Sequence, residues 1–227
     1  IVFDQNLNVV WTCNAFDHLD LKRLATLDDR CNPQACPPLD LDTAAKDWTH
    51  SNALQQTPDG HFLLSVRDQD WAVKINYGNG EGDGKVIWRL GKDGDFRLTP
   101  ADASLWFTHQ HDTRYEPGSE NRIMVLDNGN TRHEIDPNVQ TRGQVYELDE
   151  QNRTARLVLN AGMPYSLALG STQKLPNGNY WFVAGYLPDG SGNSVEVDAS
   201  GKTVFALKTK APVYRSYRLP SLYGKVE

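Results

Sequence analysis

The chain repeats itself with a period of 59 residues. Three strand-like segments, KVIWRL, QVYELD and TVFALK, place Val86, Val145 and Val204 at this spacing. A second, independent set of markers agrees, because the turns TPDG, EPGS and LPNG have their prolines 59 residues apart as well. Repeats of about 40–60 residues that each form one supersecondary unit are typical of propellers and other repeat folds. This period limits the possible folds more than any other feature of the sequence.

Within each repeat we expect four short strands separated by turns. A strand-like run follows each proline turn: HFLLSV, NRIMVLD and NYWFVAG. Apolar and polar residues alternate in VIWRL and VYEL, and Asp-Gly, Asn-Gly and Pro-Gly pairs separate the runs. The sequence therefore predicts an all-β fold, a β-propeller of four-stranded antiparallel blades. The alternative is an irregular β-sandwich.

The two ends of the chain read as parts of further blades. NVVWTC (8–13) resembles the late part of an earlier blade, and VYRSYRLPSLY (213–223) resembles the first strand of another. We expect about three complete blades plus two partial ones, in a single domain over residues 1–227 that is incomplete at its N-terminal side. The alternative is a small propeller closed by its split ends. Residues 17–29, DHLDLKRLATLDD, predict one short helix or turn.

Composition excludes some classes of partner. The net charge is −6, and no basic stripe is present that could neutralise phosphates, so we expect no nucleic-acid partner. No apolar stretch approaches the ~20 residues that a membrane-spanning helix needs. We therefore expect no membrane span.

Two cysteines lie in a loop insertion between blades, which we place at residues 26–47. Cys31 and Cys36 stand in CNPQAC and could form a small disulfide, which would indicate an oxidising compartment. A zinc site is the competing interpretation, but it needs about four ligands and the chain has no CxxC pair. We expect no metal.

Two pairs of polar residues stand at matching places in adjacent repeats. Counting from the proline turns makes His50 equivalent to His109 and Asn52 equivalent to His111. The first strand of a propeller blade lines the central channel, and residues two apart on a strand face the same way. The four side chains are therefore predicted to converge on one axial pocket, with Asp112 on the opposite face.

Two arginines fit the same pocket. Arg67 ends the second strand of one blade and Arg132 follows the corresponding strand of the next. Arginine together with histidine suits an anion, because the guanidinium fork grips sulfate, phosphate or carboxylate. Surface salt bridges are the alternative, and for Arg67 the partners would be Asp68 and Asp70.

Several motifs together resemble the bacterial arylsulfotransferase (arylsulfate sulfotransferase) family over nearly the whole chain. They are DWTHSNALQQTPDGHFLLSVRDQDWAVKI, GDGKVIWRLGKDGDF, WFTHQHDTRY, LDNGNTR and YRSYRLPSLY. The resemblance implies a six-bladed propeller, secreted or periplasmic. It also implies a nucleotide-independent transferase that moves a sulfuryl group from a phenolic sulfate ester to a phenol through a sulfurylated histidine, without a cofactor.

Carried over to this sequence, the family's motifs nominate His50, His111 and Arg132 as catalytic. A tyrosine of the closing motif falls on Tyr214 or Tyr217. The family's covalent nucleophile is a histidine of a later blade, where this chain reads YSLALGSTQ (165–173) without one. Either His111 or His109 takes that role, or the chemistry differs, or activity is lost.

The predicted function is therefore arylsulfotransferase-like, with small aromatic sulfate esters and phenols as partners and with a homo-oligomer possible. The predicted substrate-binding residues are Asn52, Arg67, His109, Tyr214 and Tyr217. Two alternatives stay open: a non-catalytic propeller that binds a small anion or a protein, and a hydrolase or lyase that uses the same residues.

Overall fold

A computed structural model describes residues 1–27 and 47–221 of the chain. Strands dominate these residues, with two four-residue α-helices and three short 3-10 helices. The strands are β1 (Val2–Phe3), β2 (Val9–Trp11), β3 (Ser51–Gln56), β4 (Phe62–Val66), β5 (Trp71–Ile75), β6 (Val86–Leu90), β7 (Arg97–Leu98), β8 (His111–Tyr115), β9 (Arg122–Asp127), β10 (Thr141–Asp149), β11 (Thr154–Met163), β12 (Ala168–Lys174), β13 (Tyr180–Tyr186), β14 (Gly192–Val197) and β15 (Thr203–Thr209). The α-helices are α1 (Ala15–His18) and α2 (Asn130–His133).

Most strands belong to three antiparallel sheets in chain order. The first sheet has the order β3-β4-β5-β6, and the third has the order β12-β13-β14-β15. The second sheet contains β8-β9-β10-β11, and β7 adds a fifth strand by parallel pairing with β11. The all-β class and the four-stranded antiparallel units are therefore confirmed.

The sheets pack face to face through two apolar layers. One layer contains Trp88 of the first sheet and Tyr146 of the second. The other contains Leu126 of the second sheet and Phe182 of the third. Packing is close there, since a Cβ added to Gly143 would lie 2.3 Å from the ring of Phe182. Strands covered on both faces lose the polar alternation of half-exposed strands, and so β13 is buried up to its last residue.

The proline turns mark equivalent positions, as predicted. Pro58 lies between β3 and β4, Pro117 lies between β8 and β9, and Pro176 lies between β12 and β13. Each turn therefore joins the first strand of a sheet to the second.

The valine markers are not all equivalent. Val86 and Val204 lie in the fourth strands of their sheets, but Val145 lies in the third strand of the second sheet. The reason is the placement of the long connections. The first sheet has its long connection between β5 and β6, whereas the second has α2 and a loop between β9 and β10. The period is therefore constant although the long connection lies at a different place in each of these two sheets.

At the N-terminal end, β1 and β2 pair as a two-stranded ribbon. The prediction of a short helix in residues 17–29 is met in part by α1, which begins two residues earlier. Cys31 and Cys36, with most of the insertion at 26–47, lie outside the described residues.

At the C-terminal end, residues 213–221 form no strand, contrary to the prediction. They run along β12 with mixed hydrogen bonds, which explains the lack of a regular ladder. The amide of Gly170 donates to the carbonyl of Tyr214 at 3.1 Å, whereas the amide of Arg218 donates to the side chain of Gln173 at 2.8 Å.

In the part of the chain that the structure describes, no helix has the length and apolar character needed to cross a membrane.

The first strands of the three sheets lie side by side, with β8 between β3 and β12. Side chains connect them. Asn52 donates from Nδ2 to the carbonyl of Gln110 at 2.8 Å and accepts from the amide of Asp112 at 3.2 Å. The carboxylate of Asp112 in turn accepts from the amide of Thr172 at 2.7 Å. The candidate site lies where these strands begin.

Candidate functional site

His111 is the first residue of β8, and its ring is held in one orientation. Its Nδ1 lies 2.7 Å from Oδ1 of Asn128. An amide oxygen only accepts, so Nδ1 carries the proton and Nε2 carries the lone pair. Asn128 is itself fixed, because its Nδ2 donates to the carbonyls of Ser166 at 3.3 Å and Leu169 at 3.1 Å.

The environment of His111 keeps its imidazole neutral. Burial is the largest cause and lowers its pKa to about 3. The positive charges of Arg67, His50 and Arg215 lower it further, while the hydrogen bond to Asn128 opposes them. Charges act strongly only over about 10 Å at moderate salt. We call His50, His111, Arg67 and Arg215 the histidine cluster.

His50 lies one residue ahead of β3, where Asp47 holds it at two points. Its backbone amide donates to Oδ1 of Asp47 at 3.1 Å, and its ring Nδ1 donates directly to Oδ2. The backbone of His50 adopts a left-handed conformation with φ of 42°. The hydrogen bond from His50 lowers the pKa of Asp47, and the charge of Arg67 contributes. The side chain of His50 is 38% exposed.

His109 has a similar arrangement but no exposure. Its φ is 48°, its amide donates to Oδ1 of Asp70 at 2.6 Å, and its Nδ1 lies 3.1 Å from the same oxygen. The hydroxyl of Thr131 lies 3.2 Å from that nitrogen. The ring is 0% exposed.

The predicted alternation of His109 and His111 along one strand is wrong. His109 precedes β8 and packs against Asp70, while His111 contacts Asn128. The register of β8 also shifts after His111, and Asp112 has a positive φ of 52°. Alternation requires continuous extended backbone, which this segment lacks.

The two arginines of the histidine cluster come from different elements. Arg67 begins a 3-10 helix directly after β4, is buried, and donates to Oδ1 of Asp68 at 2.8 Å. Arg215 comes from the C-terminal segment and donates to the carbonyl of Asn52 at 2.6 Å, with its guanidinium 3.5 Å from Asp112. Sequence reasoning missed Arg215, although it stands between the two tyrosines of the YRSYR motif.

Arg132 lies on α2, and its guanidinium donates to Asp127 and to the carbonyl of Gln140. Arg142 donates to the same carboxylate at 2.6 Å. Burial is the main cause that lowers the pKa of Arg132. A catalytic role for Arg132 stays a prediction.

The remaining predicted substrate-binding residues stay predictions as well. The amide of Asn52 is occupied by the neighbouring strand. Tyr214 and Tyr217 are exposed, and the guanidiniums of Arg215 and Arg114 lie 5.5 Å and 5.9 Å from their respective ring centres.

One group beside the site has the donor types of a metal centre. Asp47, His50 and Asp68 each offer a ligand atom, and these atoms lie within 4.8 Å of one another. Both carboxylates already have cationic or N–H partners, namely His50 for Asp47 and Arg67 for Asp68. Hydrogen bonding therefore accounts for the arrangement without an ion, and the expectation of no metal stays a prediction.

No curated protein matches the chain. Among solved structures, a protein of unknown function from Bacteroides caccae is 14% identical with a TM-score of 0.42, over 79% of this chain and 56% of that chain. This chain thus spans about half the length of that protein. The family model described as Arylsulfotransferase (ASST) matches residues 1–218. The chain therefore belongs to the arylsulfotransferase family.

Proposed function

We propose that the protein moves a sulfuryl group from an aryl sulfate ester to a phenol, and that the histidine cluster does the chemistry. Family membership supports the reaction class. The observation that carries the assignment of residues is the environment of His111. This histidine is buried and kept neutral beside two arginines and a second histidine. Such an environment favours a bound anion next to an uncharged nucleophile.

Binding of the donor uses the arginines. An aryl sulfate carries one negative charge on its sulfuryl oxygens, and Arg67 and Arg215 supply charges of opposite sign. Sulfuryl transfer resembles phosphoryl transfer, in which positioning and charge stabilisation contribute most of the catalysis. Bound sulfate would also offset the repulsion among the positive charges around His111.

In the first half-reaction, Nε2 of His111 attacks sulfur. The sulfur–nitrogen bond forms, the bond between sulfur and the aryl oxygen breaks, and protonated His50 gives its proton to the departing phenolate. In the second half-reaction, His50 takes the proton of the acceptor phenol, whose oxygen attacks sulfur and releases His111. The donor leaves as a phenol, and the acceptor leaves as its sulfate ester.

The low pKa of His111 affects both half-reactions. A weakly basic imidazole is a modest nucleophile, but its pKa of about 3 leaves it unprotonated near neutral pH. It is also a good leaving group from sulfur, which favours the second step. This balance suits an exchange between two phenols of similar acidity. We assign the role of nucleophile to His111, because residues 165–173 contain no histidine and the ring of His109 is 0% exposed and held by Asp70.

The wider fold and location are part of the same proposal. The three sheets with adjacent first strands support a propeller whose channel contains the cluster. We propose six blades in the full-length protein and a secreted or periplasmic location.

The test is turnover of 4-nitrophenyl sulfate by the full-length protein with and without a phenol acceptor. We expect acceptor-dependent release of 4-nitrophenol, lost in His111→Gln and lowered by about 10²–10⁴-fold in His50→Gln. Tyr186→Phe, an exposed position on β13, is the control. Release that ignores the acceptor indicates a hydrolase instead. A folded protein without release overturns the proposal and leaves a binding protein.

A further inference from the structure

Two histidines in this protein are held by the same arrangement of hydrogen bonds. In each, the histidine lies just ahead of the first strand of a sheet in a left-handed conformation, with φ of 42° at His50 and 48° at His109. One aspartate accepts from both its backbone amide and its ring Nδ1. We call this device the aspartate clasp; the aspartates are Asp47 and Asp70.

The clasps differ in what surrounds them. The imidazole of His109 is 0% exposed and also meets the hydroxyls of Thr26 and Thr131 at Nδ1. That clasp brings His109 together with Thr26, Asp70 and Thr131 from three other parts of the chain. The imidazole of His50 is 38% exposed, and its charge reaches the neutral ring of His111. An open clasp of the same geometry holds a ring in place without covering it.

A clasped histidine has one defined tautomer. A carboxylate only accepts hydrogen bonds, so Nδ1 of His50 carries a proton and Nε2 is the nitrogen that exchanges one. The second bond, from the amide of His50 to the same carboxylate, fixes the direction of the ring relative to the backbone. Left-handed backbone at a residue with a side chain costs about 1–3 kcal/mol, and it persists where neighbouring contacts determine it.

We infer that Asp47 is a positioning residue for proton transfer: it clasps His50 so that Nε2 alone gives a proton to the departing phenol and takes one from the acceptor. This inference rests on the proposed function of the histidine cluster. Asp47 touches neither the reacting sulfur nor the phenols in this scheme and acts through His50. Asp70 makes the same two hydrogen bonds to the buried His109, and we assign it a structural role.

The experiment compares Asp47→Asn, Asp47→Glu and Asp70→Asn in the full-length protein, with aryl sulfates whose leaving phenols differ in acidity. An asparagine preserves the shape but can present an N–H to Nδ1, which permits the wrong tautomer. We expect Asp47→Asn to lower kcat about 10²-fold or more, most for the least acidic phenols, with KM changed less than threefold. Asp47→Glu restores part of kcat.

The control separates positioning from folding. Asp70→Asn lowers thermal stability and leaves the dependence of kcat on the leaving phenol as in the unmodified protein. A folded Asp47→Asn variant with kcat within threefold of the unmodified protein for every phenol overturns the inference.

A second readout is independent of turnover. The ¹⁵N shifts of the ring of His50 report its tautomer, which we expect to be Nδ1–H in the unmodified protein and mixed in Asp47→Asn. An unchanged tautomer in Asp47→Asn also overturns the inference. If the unmodified protein shows no turnover but the tautomer changes as expected, the proposed function has failed and the clasp stands.

Discussion

His50 and His109 are held by equivalent hydrogen bonds and have opposite exposures. Both histidines adopt a left-handed backbone conformation, and each donates two hydrogen bonds to its own aspartate. His109 lies entirely inside the protein, while more than a third of the His50 side chain is open. The clasp alone therefore does not assign a role, because of the two clasped rings only that of His50 is open to a reacting molecule.

The two aspartates also come from different distances along the chain. Asp47 lies three residues before His50, so its contact is local. Asp70 lies 39 residues before His109, in the left-handed residue that ends the 3-10 helix Arg67–Gln69. A local clasp is coupled to one strand, whereas the long-range clasp connects the first sheet to the second. The long-range clasp should therefore contribute more to global stability.

The largest expected effect concerns His111, which is buried like His109 but lies among the charges around His50. Its folded pKa is about 3, and the unfolded value is about 6.5. Above pH 6.5 both states are neutral. As the pH falls, the unfolded chain binds a proton that the folded chain does not, so stability is lost down to about pH 3. The full loss is on the order of 5 kcal/mol.

The measurement for His111 is urea denaturation between pH 7 and pH 4 of the unmodified protein and His111→Gln. We expect the variant to lose less stability with falling pH. Parallel curves for the two proteins would show that His111 is protonated in the folded state, which would join it to His50 as an accessible histidine.

The next effect tests the clasps directly. Asp70→Asn removes a buried carboxylate that accepts two bonds from His109, and we expect it to lower the free energy of unfolding by about 2–4 kcal/mol. Asp47→Asn, at a partly exposed clasp, should cost below about 1 kcal/mol. Chemical denaturation of both variants gives the two values. Equal losses would break the distinction between a structural clasp and an open one.

A smaller effect is expected at Thr131, which contacts the buried clasp. Thr131 places its hydroxyl 3.2 Å from Nδ1 of His109 and 3.3 Å from Asp70. Thr131→Val keeps the shape and removes the hydroxyl, so we expect a loss of about 1 kcal/mol in the same measurement. No loss would mean that Asp70 holds His109 without help.

The smallest effect is expected at the surface beside β8, where Tyr217 contacts Arg114. Tyr217 accepts a 3.4 Å hydrogen bond from Arg114 and is exposed. Tyr217→Phe should change the free energy of unfolding by less than about 0.5 kcal/mol, because water replaces an exposed hydrogen bond at little cost. A KM for the aryl sulfate raised severalfold at unchanged stability would place Tyr217 in the substrate site. A stability loss above 1 kcal/mol would instead give it a structural role like that of Asp70.

Much of the fold followed from local patterns. The proline turns recur because each joins two adjacent antiparallel strands, and such turns depend on a few neighbouring residues. The equivalence of Val145 with Val86 and Val204 was wrong, because helix α2 and its loop lengthen one connection while the spacing of the markers stays constant. Loop lengths change at little thermodynamic cost. A constant period therefore does not show that two markers lie on equivalent strands, whereas the proline turns do mark equivalent positions.

For the site, the sequence by itself determined the residue types and the family. The structure showed that Asp47 holds His50. The tertiary structure decided which histidine is buried, which carboxylate holds His109, and that Arg215 joins Arg67 beside His111. Residue types and the order of motifs can be read directly from the chain. Burial and the pKa of a histidine depend on side chains brought together from distant parts of the chain, and only packing of the three sheets assembles them.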